Sequence, residues 1–219
     1  MIQLFNVSVK YDGSYGIRKI NLEIKKGEFV YVFGPSGAGK TTLLKTLYFD
    51  LLPSEGHFII DKYNSLHIKK KDIPYLRRKI GIVFQDFMLL EDRNVYDNID
   101  LVLEISGIPR KDRKRKILKT IIEMGLSQKI NQMPNELSGG EKQRIGIARA
   151  IINDPLIILA DEPTGDLDPA TAVEIISILQ KINEKGTAVM IATHNYELPK
   201  VFSGKIIKME KGEIVSTEY

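Results

Sequence analysis

A glycine-rich loop between a strand pattern and a helix pattern limits the folds open to this chain. The loop reads Gly34-Pro-Ser-Gly-Ala-Gly-Lys-Thr41. Before it, Phe29–Phe33 is continuously apolar, β-branched or aromatic, which is typical of a strand buried on both faces of a parallel sheet. After it, apolar residues recur at helical spacing from Thr41 to Leu51. Strand, loop and helix are therefore contiguous, and they predict an α/β core.

The same loop predicts a site for the phosphates of a nucleotide. Closely spaced glycines let backbone N–H groups surround an anion at a helix N-terminus. Lys40 would reach the β- and γ-phosphates, the Thr41 hydroxyl would be a ligand of Mg²⁺, and Thr42 would add a hydroxyl donor. The alternative, a tight turn without a ligand, is disfavoured by the position of the motif between a buried strand and a helix. The predicted loop residues are Gly34, Pro35, Ser36, Gly37, Ala38, Gly39, Lys40, Thr41 and Thr42.

Two adjacent carboxylates, Asp161 and Glu162, follow a second apolar run at Leu156–Ala160. A buried strand would deliver them to the carboxyl edge of the sheet, with side chains pointing in different directions. Alone, such a pair more often supplies negative charge to a helix N-terminus. Together with the phosphate loop, the pair predicts catalysis, in which Asp161 holds Mg²⁺ through its water shell and Glu162 takes a proton from the attacking water or orients it.

A third motif, Leu137-Ser138-Gly139-Gly140-Glu141, predicts the start of a helix over Glu141–Ile151. Ser138 and Glu141 have the spacing of a capping box. A helix start with two glycines also presents free N–H groups and a positive dipole end, which would be a second anion site. One chain would then hold two phosphate sites and one catalytic centre. A head-to-tail dimer resolves this, because the Ser138 loop of each chain would cover the nucleotide bound by the other.

The remaining patterns predict how the chain is organised. Alternating residues at Ile2–Lys10 and Ile20–Ile24 indicate antiparallel strands near the N-terminus. Buried strands are predicted at Ile80–Phe84 and Ala188–Thr193, and a helix at Ala170–Lys181. From about Asn94 to Ala150 the pattern is helical without clear strands. We therefore expect a single domain over residues 1–219, with a core of residues 1–88 and 157–219 and an inserted helical subdomain of residues 89–156.

Composition excludes several classes of protein. With no cysteine there is no disulfide framework and no thiolate zinc site. The apolar runs are far shorter than the roughly 20 residues that span a bilayer, and the N-terminus lacks the features of a secretory signal. The 32 Lys and Arg against 28 Asp and Glu give a mild net charge of +4, so no nucleic-acid partner is expected. The basic stretches Lys69–Lys71 and Arg110–Lys119 are interpreted as solvated faces.

These motifs together resemble those of the ABC-type ATPases, the nucleotide-binding domains of the transporter superfamily, over essentially the whole chain. The resemblance implies a P-loop NTPase (RecA-like) α/β core with an N-terminal antiparallel β subdomain and an inserted α-helical subdomain. It also implies that Tyr11 stacks on adenine, that Gln85 contacts Mg²⁺ and water, and that His194 contacts the γ-phosphate. Asp166 and Asp168 would lie in a loop that communicates across the dimer. Asp166 departs from the Ala or Asn of most relatives.

A closer resemblance concerns the segment Val83-Phe-Gln-Asp-Phe-Met-Leu-Leu-Glu-Asp-Arg-Asn-Val-Tyr-Asp-Asn98. It is similar to the bacterial cell-division members of the family, in which an Asp-Arg pair like Asp92-Arg93 follows the glutamine. That similarity implies a homodimer in the ATP state and an integral membrane partner of the FtsX type, contacted near Gln85–Asn98. Binding to this partner would place the chain on the cytoplasmic side of the cell membrane. The cofactors implied are ATP and Mg²⁺.

Two alternatives remain open from the sequence. The first is an ATPase subunit of a lipoprotein-release or macrolide-type exporter, whose motifs share Leu76–Ile80 and Ala160–Gly165 with this chain. The second is a soluble ABC ATPase that acts on nucleic acid through the basic stretch Arg110–Lys119. Such proteins usually carry coiled coils, zinc modules or a second cassette, and none of these fits in 219 residues.

Overall fold

A computed structural model describes residues 1–11, 14–196 and 202–218 of the protein. Ten strands and six α-helices occur in these ranges. The strands are β1 (Ile2–Tyr11), β2 (Ser14–Ile24), β3 (Phe29–Phe33), β4 (Glu55–Ile60), β5 (Tyr63–Asn64), β6 (Ile80–Val83), β7 (Ile157–Asp161), β8 (Ala188–Thr193), β9 (Lys205–Glu210) and β10 (Glu213–Glu218). The helices are α1 (Lys40–Leu47), α2 (Ile73–Arg77), α3 (Val95–Ile105), α4 (Arg110–Glu123), α5 (Gly139–Ile151) and α6 (Pro169–Glu184).

The central sheet has six strands in the order β10-β9-β3-β8-β7-β6. Strands β9, β3, β8, β7 and β6 run parallel, and β10 closes one edge as an antiparallel hairpin partner of β9. Both faces are covered, since Val30 and Val32 pack with the N-terminal strands and α1, whereas Tyr31 and Phe33 pack with the helices. The continuous apolar pattern of β3 therefore has the predicted cause, and its carboxyl end meets those of β7 and β8 at one edge.

A separate antiparallel sheet is ordered β2-β1-β4-β5. Its buried residues share one hydrophobic cluster with Val30 and Val32 of β3 and with α1. Its strands β1 and β2 contain the predicted strands at Ile2–Lys10 and Ile20–Ile24 and extend them. The expectation of an α/β P-loop core with an N-terminal antiparallel β part is confirmed by this topology. The hairpin β9–β10, the short strands β4 and β5, and helix α2 were not predicted from the sequence.

Helix α1 ends at Leu47, four residues before the predicted end at Leu51. The reason is the backbone of Phe49, which has a φ of 61° and so cannot continue a right-handed helix. Tyr48 forms the C-cap, and its backbone N–H donates to the carbonyl of Leu44. A left-handed residue just after a helix is a common way for the chain to leave it.

Between the end of β6 at Val83 and the start of β7 at Ile157 the chain contains helices and no strand, and every residue of this stretch is described. Helices α3 and α4 pack on each other, but α5 lies directly on the central sheet. A Cβ atom on Gly81 of β6 would stand 2.5 Å from the carbonyl oxygen of Ala150 in α5, so only glycine permits this approach. The division at residues 89–156 stays a prediction.

No helix in the described ranges is long and apolar enough to cross a membrane.

Candidate functional site

The edge of the sheet at the carboxyl ends of β3, β7 and β8 opens into a cavity of about 780 Å³. Residues predicted to be functional from separate motifs line it together. Its walls are formed by Tyr11, Ser14, Tyr15, Gly16, the loop Pro35–Thr42, Gln85, Asp161, Glu162 and His194. The cavity thus assembles chemistry from strand ends that are far apart along the chain, as expected for parallel α/β sheets.

The phosphate loop has a conformation that only its glycines allow. Gly37 and Gly39 have φ angles of 77° and 98°, in the left-handed region that a side chain disfavours. A Cβ atom on Gly39 would lie 2.5 Å from the carbonyl oxygen of Gly16, and one on Gly34 would lie 2.3 Å from that of Met209. The loop is therefore held between β2 and β9, with its backbone close to both.

Lys40 begins α1 and points back across the loop. Its Nζ donates to the carbonyl oxygens of Gly34 at 2.7 Å and Pro35 at 3.3 Å, and lies 3.6 Å from Oε1 of Glu162. The residue is only 7% exposed. A buried ammonium group favours nearby negative charge, because its own hydration has been lost.

Asp161 ends β7, and burial raises the pKa of its carboxyl group. A hydrogen bond with Thr41 opposes this shift and ties the carboxylate to α1. In the described ranges, no cluster of three or more His, Cys, Asp or Glu residues could hold a metal ion by itself. The single carboxylate beside a threonine hydroxyl instead suits Mg²⁺, which usually takes one or two protein oxygens together with phosphate oxygens and water.

Glu162 follows directly and has a strained backbone, with a φ of 44°. Its N–H donates to the carbonyl oxygen of Ala192 in β8 at 2.8 Å. Its Oε1 lies 2.9 Å from Nδ1 of His194, within hydrogen-bond distance. The side chain of Glu162 is 13% exposed, whereas that of His194 is 67% exposed. The carboxylate is thus held among cationic and imidazole groups at the inner end of the cavity.

Tyr11 and Gln85 also reach the cavity, although the sequence placed them there only through the family resemblance. The ring of Tyr11 lies over Gly16, where a Cβ atom would come within 2.6 Å of the ring. Tyr11 is 39% exposed, so a face of its ring is available for stacking. Gln85 follows β6 and lies near Gly165, since a Cβ on Gly165 would be 3.5 Å from its Nε2.

The signature loop, defined here as residues 138–141, does not line this cavity. Ser138 is the N-cap of α5, and its Oγ accepts a hydrogen bond from the N–H of Glu141. The Glu141 carboxylate accepts in return from the N–H of Ser138 at 2.8 Å, which lowers the pKa of Glu141. Lys129 lies 3.2 Å from the same carboxylate. The predicted capping box is confirmed by these bonds.

The loop after Glu162 reaches the start of the next helix. Asp168 is the N-cap of α6, and its Oδ1 accepts from the N–H groups of Ala170 and Thr171, both at 3.1 Å. The sequence Asp168-Pro169 carries a recognisable signal for this role, an Asp N-cap followed by Pro at the first helical position. Asp166 is exposed. Leu167 packs beneath the signature loop, since a Cβ on Gly139 would lie 3.1 Å from its Cδ2.

A second, largely apolar groove of about 350 Å³ lies between β6 and helices α3 and α5. Phe87 and Met88 beside it have φ angles of 56° and 50°, two consecutive left-handed residues. Arg149 of α5 donates to the carbonyl oxygen of Met88 at 2.6 Å, and burial lowers the pKa of this arginine. The groove is lined by Pro74, Arg77, Arg78, Ile80, Gly81, Ile82, Phe84, Phe87, Val102, Ile105, Ser106, Gly146, Arg149, Ala150 and Asn153.

Comparisons with known proteins agree on one family. The sequence model of the ABC transporter family matches residues 17–165. The chain is 43% identical to the cell division ATP-binding protein FtsE of Streptococcus pneumoniae over 219 residues, covering 100% of this chain and 95% of that protein. It is 38% identical over 222 residues to a methionine import ATP-binding protein, MetN 1 of Enterococcus faecalis, covering 99% of this chain and 62% of that protein.

This chain also resembles solved structures of ATP-binding cassettes. One describes a dimeric post-hydrolysis state of an ATP-binding cassette bound to ADP and Pi. This chain matches it with a TM-score of 0.88 and 36% identity, covering 100% of this chain and 98% of the other.

Proposed function

The chain belongs to the ABC transporter family of ATPases and hydrolyses ATP, and we propose that it drives an FtsX-like integral membrane partner in cell division and in the control of cell-wall hydrolysis. The motion would come from ATP-dependent head-to-tail association of two copies. Reopening would follow hydrolysis of ATP to ADP and phosphate. The chain would be held on the cytoplasmic side of the cell membrane by this partner.

The observation that carries this proposal is similarity to FtsE along all of this chain and 95% of that protein. The segment Gln85–Asn98, with its Asp92-Arg93 pair, supports the same assignment. Similarity to methionine import ATPases also extends along this chain, but the chain spans only 62% of that relative's length. A role in import is therefore the second candidate, and it shares every assignment at the nucleotide site.

The lining of the cavity supports the proposal that it binds a nucleotide with a magnesium ion. The loop glycines leave their N–H groups close to the space that phosphates would fill, Lys40 supplies a positive charge, and Tyr11 offers a ring face to the base. Thr41, Gln85 and Asp161 would hold Mg²⁺, which would neutralise phosphate charge. Thr42 would add a further hydroxyl donor to the phosphates.

Glu162 is the group that would receive the proton of the attacking water or orient that water. Its carboxylate is close to both Lys40 and His194, and its backbone is fixed by β8. His194 would contact the γ-phosphate from the exposed side of the same carboxylate. General-base assistance of this kind contributes about 10²- to 10⁴-fold to a rate.

The signature loop would complete the site of a second copy. Its helix start presents N–H groups and a positive dipole end at the surface, and the residues Ser138, Gly139, Gly140 and Glu141 lie outside the cavity of their own chain. Asp166 and Asp168 would lie between the two sites of the dimer. A dimeric ATP-binding cassette that this chain resembles at 36% identity supports the association of two copies.

The membrane partner would contact residues 85–98 and the adjoining groove. Phe87 and Met88 occupy strained backbone conformations there, and Met88 is 57% exposed although it is apolar. An exposed apolar side chain next to an apolar groove would favour contact with a protein partner. Arg149 of α5 donates to the Met88 carbonyl, and Ser138 caps the same helix, so the docking segment and the signature loop are joined by one rigid element.

The test is a pull-down of tagged Glu162→Gln from detergent-solubilised membranes of the native host in the presence of MgATP, followed by mass spectrometry. We expect an FtsX-like membrane subunit to be recovered with cell-wall or cell-division proteins. Tagged Glu162→Gln that also carries Lys40→Ala is the control, because it should not form the ATP-bound dimer. Recovery of a methionine importer, a lipoprotein or macrolide exporter, or nucleic acid alone would contradict the cell-division role while leaving the ATPase assignments intact.

A further inference from the structure

Gln143 is a fully buried polar residue of α5 that contacts the catalytic strand end. Its exposed fraction is 0%, and its Nε2 donates to the carbonyl oxygen of Pro163 at 2.7 Å. Pro163 follows Glu162 directly. The two partners are 20 residues apart in sequence and belong to different motifs, so this bond is a tertiary link between the signature helix and the strand end that carries Glu162.

The bond helps to fix an unfavourable backbone. Glu162 has a φ of 44°, a left-handed conformation that is unfavourable for a residue with a side chain. Such strain persists only where the surroundings hold it. On one side, the N–H of Glu162 donates to Ala192 of β8. On the other side, the carbonyl oxygen of the following residue, Pro163, accepts from Nε2 of Gln143. The backbone that orients Glu162 is therefore anchored to β8 and to α5.

Helix α5 also packs closely against the chain beyond Pro163. A Cβ on Gly140 would lie 2.5 Å from Cγ2 of Thr171, and a Cβ on Gly139 would lie 3.1 Å from Cδ2 of Leu167. Gln143 is five residues after Ser138, which is about 7.5 Å along the helix. A displacement of the signature loop would thus be carried by one short rigid segment to the carbonyl beside Glu162.

The amide oxygen of Gln143 is an independent indication that this residue does more than stabilise the fold. Its Oε1 is buried and has no hydrogen-bond partner within the described ranges. An unsatisfied buried acceptor is unfavourable, but Nε2 of the same amide satisfies the buried carbonyl oxygen of Pro163, which an apolar side chain would leave without a donor.

We propose that Gln143 is a positioning residue for ATP hydrolysis, which couples the position of the signature loop to the orientation of Glu162. The inference deepens the proposed function, because it rests on Glu162 acting on the attacking water. Gln143 itself contacts neither nucleotide nor water in this role. Its effect appears in the rate of hydrolysis and not in the binding of ATP.

The test replaces the amide by an unbranched apolar side chain of similar length. Gln143→Met should lower kcat about tenfold at saturating MgATP, which corresponds to about 1.4 kcal/mol, and leave the KM for ATP unchanged. Gln132→Met is the matched control, because Gln132 also has a buried Oε1 without a partner in the described ranges but lies outside both motifs. It should leave kcat unchanged. An unchanged kcat in Gln143→Met, or an equal loss in both variants, would overturn the proposal.

A double variant separates positioning from a general loss of stability. In a Glu162→Gln background, Gln143→Met should lower the residual rate by less than about twofold, because both residues act through one carboxylate. A full tenfold further loss would overturn the proposal. If Glu162→Gln alone hydrolyses ATP at the wild-type rate, the role proposed for Glu162 fails. If Glu162→Gln is inactive while Gln143→Met has the wild-type rate, only the role of Gln143 fails.

Discussion

The phosphate loop and the signature loop are both glycine-rich starts of helices, yet the residues that surround them differ. The phosphate loop lies against β2 and β9 in a cavity with a buried lysine and two carboxylates. The signature loop lies at the surface, and its serine and glutamate already cap one another. One loop is therefore surrounded by catalytic groups, whereas the other offers only N–H groups and a dipole. The difference agrees with the proposed head-to-tail dimer, in which the signature loop of one chain would complete the site at the phosphate loop of the other.

The largest expected effect tests the catalytic groups beside the phosphate loop. Glu162→Gln should lower the ATPase rate by at least about 100-fold, because the amide cannot accept the proton of the attacking water. The variant should still bind MgATP and accumulate as a dimer, which size-exclusion chromatography with light scattering would show. Glu184→Gln, at the exposed end of α6, is the control and should keep the wild-type rate. Wild-type turnover in Glu162→Gln would refute its assignment.

An intermediate expected effect tests whether the phosphate loop of one chain and the signature loop of another form one site. Lys40→Ala lacks the charge on the phosphates, and Ser138→Arg blocks the signature loop, so each variant alone should hydrolyse ATP very slowly. An equimolar mixture should regain about a quarter of the wild-type rate, because half of the dimers are mixed and each mixed dimer has one intact site.

The control for that experiment is a mixture of two preparations of Lys40→Ala, which should regain nothing. If the mixture of different variants also stays inactive while mixed dimers are detected by native mass spectrometry, the head-to-tail arrangement is wrong.

The smallest expected effect is on the free energy of unfolding, and it concerns Asp161 in the cavity beside the phosphate loop. Burial raises the pKa of Asp161, so the folded protein keeps this proton to a higher pH than the unfolded chain does. The buried carboxylate therefore lowers the free energy of unfolding as the pH rises through the interval between its ordinary and its raised pKa. Asp161→Asn should remove this loss and gain more stability relative to wild type at pH 7 than at pH 4.

Urea unfolding at both pH values would measure this difference. The exposed Asp92 provides the control, since Asp92→Asn should change stability equally little at both. A stability gain in Asp161→Asn that does not depend on pH would contradict the assignment of the cost to ionisation of this carboxylate. The same variant should have lost ATPase activity, as expected where a functional group is kept at the expense of stability.

Much of the fold could be predicted because its signals are local. Phe29–Phe33 and Ala188–Thr193 are strands with the predicted bounds, since short apolar runs that contain β-branched or aromatic residues are typical of buried strands. The capping box at Ser138 is equally local, because N-cap and carboxylate are three residues apart. The hairpin β9–β10 was missed because its alternation is interrupted by lysines whose partners, such as Glu28 for Lys205, are distant in sequence.

In the candidate site, too, some features are local in sequence and others depend on tertiary packing. The amino-acid sequence by itself determined the phosphate loop, the carboxylate pair and the helix start at Ser138, because each is specified within a few consecutive residues. Only the tertiary structure decided that Gln143 reaches Pro163 and that Arg149 reaches Met88, 61 residues away. No periodicity encodes such bonds, since they depend on how closely α5 packs on the sheet. That packing is set by small residues such as Gly81, whose effect appears only when the helix and the strand are in contact.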